Sequence, residues 1–126
     1  MLRSIARTVL ALVAFGCALG GCTMHEAQHN LAIAPSDIPN AYGPIKQCAA
    51  QRGRTTRDRK GGGVDVQIDT LLAIYFHPRD GAMGMDAVIW AEVSPEDKKK
   101  IFERLEKEGF EIWECAKKIG FAPAPA

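Results

Sequence analysis

The stretch VDVQIDTLLAIYF, residues 64–76, decides the fold expected for this chain, because apolar side chains occupy most of its even-numbered positions. A period of two is typical of a β-strand. The polar pair at 69–70 predicts a bend, and the second half of the stretch is apolar on both faces. We therefore predict one bent strand over residues 64–76.

The residues that follow predict a hairpin and then a helix. HPRDG at 77–81 has the composition of a turn, and residues 86–93 predict a second, antiparallel strand. Ser94 before Pro95 and two acidic residues is a strong helix start, and the helix is expected to end near Glu108 because Gly109 suits a position after a helix. Residues 110–115 are predicted as a last strand, with a helical stripe through Cys115 as the alternative.

The preceding part of the chain is less regular. Apolar residues recur at helical spacing over 44–52, residues 53–63 predict a flexible loop, and only 31–34 could add an early strand. The expected fold class is α+β, a small antiparallel sheet with two helices. Its arrangement is either a ferredoxin-like βαββαβ or a three-stranded variant without the first strand.

The composition excludes several classes of protein. The chain has 126 residues, 16 Lys plus Arg, and 15 Asp plus Glu. This size fits one globular domain, and the balanced charge gives no long-range attraction for nucleic acid, so no nucleic-acid partner is expected.

The N-terminus carries the signature of a secreted protein. Arg3 and Arg7 precede an apolar run over 9–19, which is about half the roughly 20 residues that a membrane-spanning helix needs. The run ends in Leu19-Gly20-Gly21-Cys22, which resembles the lipobox of bacterial lipoproteins. A plain signal peptide that happens to contain Cys17 and Cys22 is the alternative.

The resemblance implies that Cys22 is lipidated and becomes the first residue of the mature chain. Residues 1–21 would then be a signal peptide, 22–42 the lipid anchor and a tether, 43–121 the α+β domain and 122–126 a loose tail. In lipoproteins Asp after the lipidated Cys favours the inner membrane, whereas this chain has Thr23. We therefore expect an outer-membrane protein facing the periplasm, with the inner membrane and the cell surface as alternatives.

Processing at Cys22 would leave two thiols, Cys48 and Cys115, in an oxidising compartment. A disulfide between them is expected, and two buried free cysteines are the alternative.

Residues His25-Glu26-Ala27-Gln28-His29 match the H-E-x-x-H motif, in which a helix holds zinc between two imidazoles. The segment has no apolar stripe and no extended metzincin pattern, so His25 and His29 are only weak zinc candidates. A polar tether is the preferred interpretation, and no cofactor is expected.

The loop at 53–63 is the one strongly basic stretch. Its cations could rest on anionic lipid or lipopolysaccharide, although a solvated loop is the more ordinary interpretation. These candidate binding residues are Arg54, Arg57, Arg59 and Lys60.

Both faces of the predicted hairpin are apolar, so one face needs a cover. The C-terminal tail could supply it, and a second copy or another envelope protein is the functional alternative. Tyr75 and Trp90 would then be aromatic anchors of the interface.

These observations favour a non-enzymatic envelope lipoprotein, attached to the membrane by its lipid, that binds an envelope protein as an assembly or secretion accessory. The alternatives are an immunity protein that blocks a periplasmic toxin and a zinc hydrolase that uses the HEAQH segment.

Overall fold

The computed structural model describes residues 24–122, which form a five-stranded antiparallel sheet covered by two helices on one face. The order of strands in the sheet is β1-β5-β4-β3-β2. The elements are β1 His25–Leu31, a 3-10 turn Pro35–Asp37, α1 Ile38–Gln51, β2 Thr55–Asp58, β3 Val64–Gln67, β4 Leu72–Arg79, β5 Ala82–Ile89 and α2 Pro95–Ile119.

The general α+β class is confirmed, but the ferredoxin-like arrangement and its three-stranded variant are both wrong. Strands β2 to β5 form a continuous meander, and α1 carries the chain from β1 at one edge to β2 at the other. The order of elements is therefore βαββββα.

The single bent strand predicted over 64–76 is two strands. The Asp69 carboxylate accepts a hydrogen bond from the Leu71 backbone N–H at 2.8 Å, a side-chain turn that reverses the chain between β3 and β4. Of the turn predicted over residues 77–81, only the last two residues form the tight turn between β4 and β5, where Asp80 and Gly81 adopt positive φ. Both strands are displaced from their predicted bounds, since β4 continues to Arg79 and β5 ends at Ile89.

Helix α2 begins as predicted, with the Ser94 hydroxyl accepting from the Asp97 N–H at 3.1 Å. It does not stop at Gly109 but continues to Ile119, so the predicted last strand over 110–115 is wrong and the helical alternative is right. Gly109 is buried where a Cβ would lie 2.7 Å from the Met85 sulfur. The missing side chain lets α2 lie close to the sheet.

The segment interpreted as a tether contains part of the fold. Residues 25–31 are the edge strand β1, and α1 starts at Ile38 instead of near residue 44, with Pro44 inside it. The folded part therefore begins well before residue 43. The loop expected over 53–63 likewise contains strand β2.

The core lies between the helices and one face of the sheet. Helix α1 packs over β2 and β3, and α2 packs over β4 and β5. The largest fully buried side chains include Ile45, Ile74, Phe76, Met85 and Ile112. Disulfide Cys48–Cys115 joins the two helices, which confirms the predicted pairing.

Candidate functional sites: the open sheet face and a groove beside the disulfide

The sheet face opposite the helices carries a network of charged and aromatic side chains. Asp65 on β3 is only 1% exposed and Asp86 on β5 only 3%. Burying a carboxylate on a face without helices costs free energy unless cations satisfy it. Asp65 has two arginine partners, and Asp86 has one arginine and one histidine.

Asp65 is held by two arginines from the β2–β3 segment. Arg59 Nη1 donates to both carboxylate oxygens, at 3.3 and 3.1 Å, and Arg57 Nη2 lies 3.6 Å from Oδ2. The Arg59 guanidinium also lies over the Tyr75 ring, 3.9 Å from its centroid. Tyr75 stacks in turn on His77, with centroids 4.2 Å apart. Three planar groups thus cover this part of the sheet.

Asp86 is held by His77 and Arg79 of the neighbouring strand. His77 Nε2 lies 2.8 Å from Asp86 Oδ2, and Arg79 Nη2 donates to Oδ1. His77 Nδ1 faces the Pro78 carbonyl oxygen at 3.2 Å. His77 Nε2 also lies 2.9 Å from Arg79 Nη2, so the imidazole, the guanidinium and the carboxylate form one cluster across the two strands.

The prediction that both faces of the hairpin are apolar is therefore wrong for this face. Ala73 and Val88 do lie on it, but both are buried. Phe121 does not provide the cover, because it packs against Trp113 on the helix side. Of the two predicted aromatic anchors, Tyr75 is engaged in the stack, and Trp90 lies just beyond the end of β5.

The predicted basic patch is likewise largely occupied by internal ion pairs. Arg57 and Arg59 bind Asp65, and Arg54 donates to Glu108 of α2. Lys60 is exposed. Hydrogen bonds from Arg54 and then Arg52 hold the pKa of Glu108 below its ordinary value.

The two histidines of the HEAQH segment do not form a zinc site. They lie four residues apart on strand β1, a distance of about 13 Å at the usual rise of a strand. His29 Nε2 binds Glu106 at 2.8 Å, and burial lowers the pKa of His25. Within residues 24–122, no three or more His, Cys, Asp or Glu side chains are arranged to hold a metal ion.

A groove with a volume of about 780 Å³ lies where α1 ends beside the second half of α2. Its apolar lining includes Phe110 and Ile119, which are 40% and 45% exposed and lie at opposite ends of the site, together with Cys115 of the disulfide. The remaining lining residues are Gln51, Lys107, Glu111, Glu114 and Lys118.

Most charges around this groove are neutralised within the chain. Glu111 binds Arg52 at 2.8 Å and Lys107 at 3.0 Å, and Glu114 binds Lys117 at 2.9 Å. Lys118 is exposed and has no ion pair within residues 24–122. The groove therefore combines exposed apolar surface with one cation that a ligand could neutralise.

This groove could not be predicted while residues 110–115 were expected to form a strand, because these side chains share a face only on a helix. The signal was present, since the positions 107, 110, 111, 114 and 118 recur at helical spacing. Read as a helix, they form one face.

Comparison with known proteins matches the chain to no family model, no curated protein and no solved structure. Cys22 lies outside the described residues. From residue 24 to residue 122, neither helix is long and apolar enough to cross a membrane.

Proposed function

We propose that this protein is a non-enzymatic lipoprotein of the bacterial envelope, anchored through Cys22, that binds another envelope protein in the groove beside the disulfide. The lipobox-like Leu19-Gly20-Gly21-Cys22 supports the anchor. Thr23 in place of Asp supports the outer membrane, with the domain facing the periplasm.

The observation that carries the binding role is the groove itself. Phe110 and Ile119 line the same shallow, open depression of about 780 Å³, and exposed apolar surface of this kind commonly marks an interaction site. Grooves of this kind bind apolar side chains of a partner segment. The open sheet face is a weaker candidate because its cations and carboxylates already satisfy one another.

The partner that fits is a protein segment with apolar side chains next to a carboxylate. The apolar part would cover Phe110 and Ile119, and the carboxylate would pair with Lys118. The disulfide next to the groove holds α1 and α2 together, so the site is preformed and binding requires little ordering.

The test places a photo-cross-linking residue at Glu114, in the groove, and at Gln28, on an edge strand away from the groove. We expect one partner to cross-link at position 114 in native membranes and not at position 28. Lys118→Glu and Phe110→Ala should each abolish that cross-link, whereas Lys99→Glu, an exposed charge reversal on the same helix, should leave it intact.

Equal cross-linking at positions 114 and 28, or capture that survives Lys118→Glu and Phe110→Ala, would refute the groove as the binding site. A secreted toxin as the captured protein would identify the immunity function instead of an accessory function.

A further inference from the structure

Exposed apolar side chains also lie at the end of the sheet where the described chain begins. Met24 is 49% exposed and Leu71 is 43% exposed. In the sheet, His25 and Leu72 both pair with Ile89, so Met24 and Leu71 flank the next residue, Trp90. The Trp90 backbone N–H donates to the Leu71 carbonyl oxygen at 2.8 Å. These three residues form the apolar row.

We infer that the apolar row lies in the interface of a phospholipid bilayer and sets the orientation of the domain on the membrane. The inference rests on the proposed lipidation of Cys22. Three Cα–Cα steps lead from Cys22 to His25, and a fully extended chain of this length spans at most about 11 Å. A lipid at Cys22 therefore holds the apolar row close to the bilayer surface.

The chemistry of the apolar row suits that location. A tryptophan side chain has an apolar body and a polar N–H, and tryptophans are enriched where the headgroups meet the hydrocarbon. Met24 and Leu71 add apolar surface on either side, and this surface would otherwise face water.

The charge at this end of the domain is not what places the apolar row at the bilayer. The start of α2 follows soon after Trp90 and carries the basic run of residues 98–100, but Glu92, Glu96 and Asp97 lie in the same stretch. This end of the domain is thus not strongly basic. Zwitterionic lipid should therefore suffice, without anionic headgroups.

The test uses the full lipidated chain in phosphatidylcholine vesicles that contain a lipid with a nitroxide near the headgroup. The chain has two tryptophans, and Trp113 is 3% exposed in the core. We expect the nitroxide lipid to quench part of the wild-type fluorescence and to leave the Trp90→Phe variant, which retains Trp113, unquenched.

A matched pair of substitutions tests the apolar row further. Leu71→Asp should reduce the quenching, whereas Phe110→Asp, at a site of similar exposure that contacts His29 and not the apolar row, should not. Equal effects of the two substitutions would contradict the inference.

The intact mass of the same sample separates this inference from the proposed function. Acyl mass on Cys22 together with an unquenched Trp90 would overturn the inference alone. A chain without acyl mass would overturn the proposed anchor, and the inference would fail with it.

Discussion

Arg54 donates two hydrogen bonds to the Glu108 carboxylate, from Nε to Oε2 and from Nη2 to Oε1, both at 2.7 Å. This pair joins the segment after α1 to the middle of α2, where Glu108 is buried. Glu108→Gln removes the charge and leaves Arg54 without its carboxylate. We expect a loss of about 2 kcal/mol in the free energy of unfolding.

Urea denaturation provides the measurement. The control is Glu103→Gln, an exposed position on the same helix, which should change the stability by less than about 0.5 kcal/mol. Equal midpoints for the two variants would show that the Arg54–Glu108 pair does not stabilise the fold.

The disulfide should contribute strongly to stability. Its cysteines are 67 residues apart, and in the chain-entropy model a loop of this size is worth roughly 4 kcal/mol. Cys48→Ala and Cys115→Ala should each lose that contribution, and the double variant should be no less stable than the worse single variant. Denaturation with and without reductant measures the effect. Labelling of both thiols in native protein would contradict it.

Gly109 should not tolerate a methyl group, although alanine is the better helix former. The Cβ added by Gly109→Ala would lie 2.7 Å from the Met85 sulfur, so this substitution should cost about 1–3 kcal/mol. In a double-mutant cycle, Met85→Ala should partly relieve this cost because it removes the atom in the way. Strictly additive thermal stabilities would disprove the close contact.

Stability should fall in two steps as the pH is lowered. Burial lowers the pKa of His25 from its ordinary value of 6.5, so the unfolded chain binds a proton more readily, and stability declines as the pH drops below that value. The pKa of Glu108 is lowered from 4.5 by Arg54, so a second loss begins below pH 4.5. His25→Gln should remove the first step, as measured by unfolding at a series of pH values. Glu108→Gln should reduce the second, to which Glu111 also contributes because hydrogen bonds from Lys107 and Arg52 lower its pKa from 4.5. Profiles that match that of the wild type would argue against both assignments.

The lipid anchor is tested by Cys22→Ser. This variant cannot accept a diacylglyceryl group, so unprocessed precursor should accumulate and the acyl mass should disappear from membrane extracts. Intact mass spectrometry measures both. A wild-type mature chain that begins elsewhere, without acyl mass, would refute the lipoprotein assignment.

Local signals predicted the parts of the fold that are determined locally. The Ser94 cap and the turn at Asp80 and Gly81 are both present in the structure, and each depends on residue types whose preference is strong in isolation. The Cys48–Cys115 pairing is also present, but it joins residues 67 apart and was predicted from the two cysteines expected to remain in an oxidising compartment.

The edge strands could not be predicted in the same way. Strand β1, with the sequence HEAQHNL, is polar on both faces over most of its length, and β2, with the sequence TTRD, has no apolar residue. The strand conformation of β1 depends on pairing with β5, which is distant in sequence, and that of β2 depends on pairing with β3, to which an irregular segment connects it. For the same reason the HEAQH segment, whose motif lies on a helix in zinc proteins, forms a strand in this protein.

β1 is the first strand of the sheet along the chain and its partner β5 is the last, so β1 cannot form its native pairing until β5 is present. Residues 32–81 lie between these two strands. Until β5 is in place the edge strand β1 has no native partner, while β2, β3 and β4 can pair in sequence. Because contacts between distant segments slow folding, we expect β1 to dock late. Until it docks, its backbone is unpaired and accessible to proteases and to strands of other molecules.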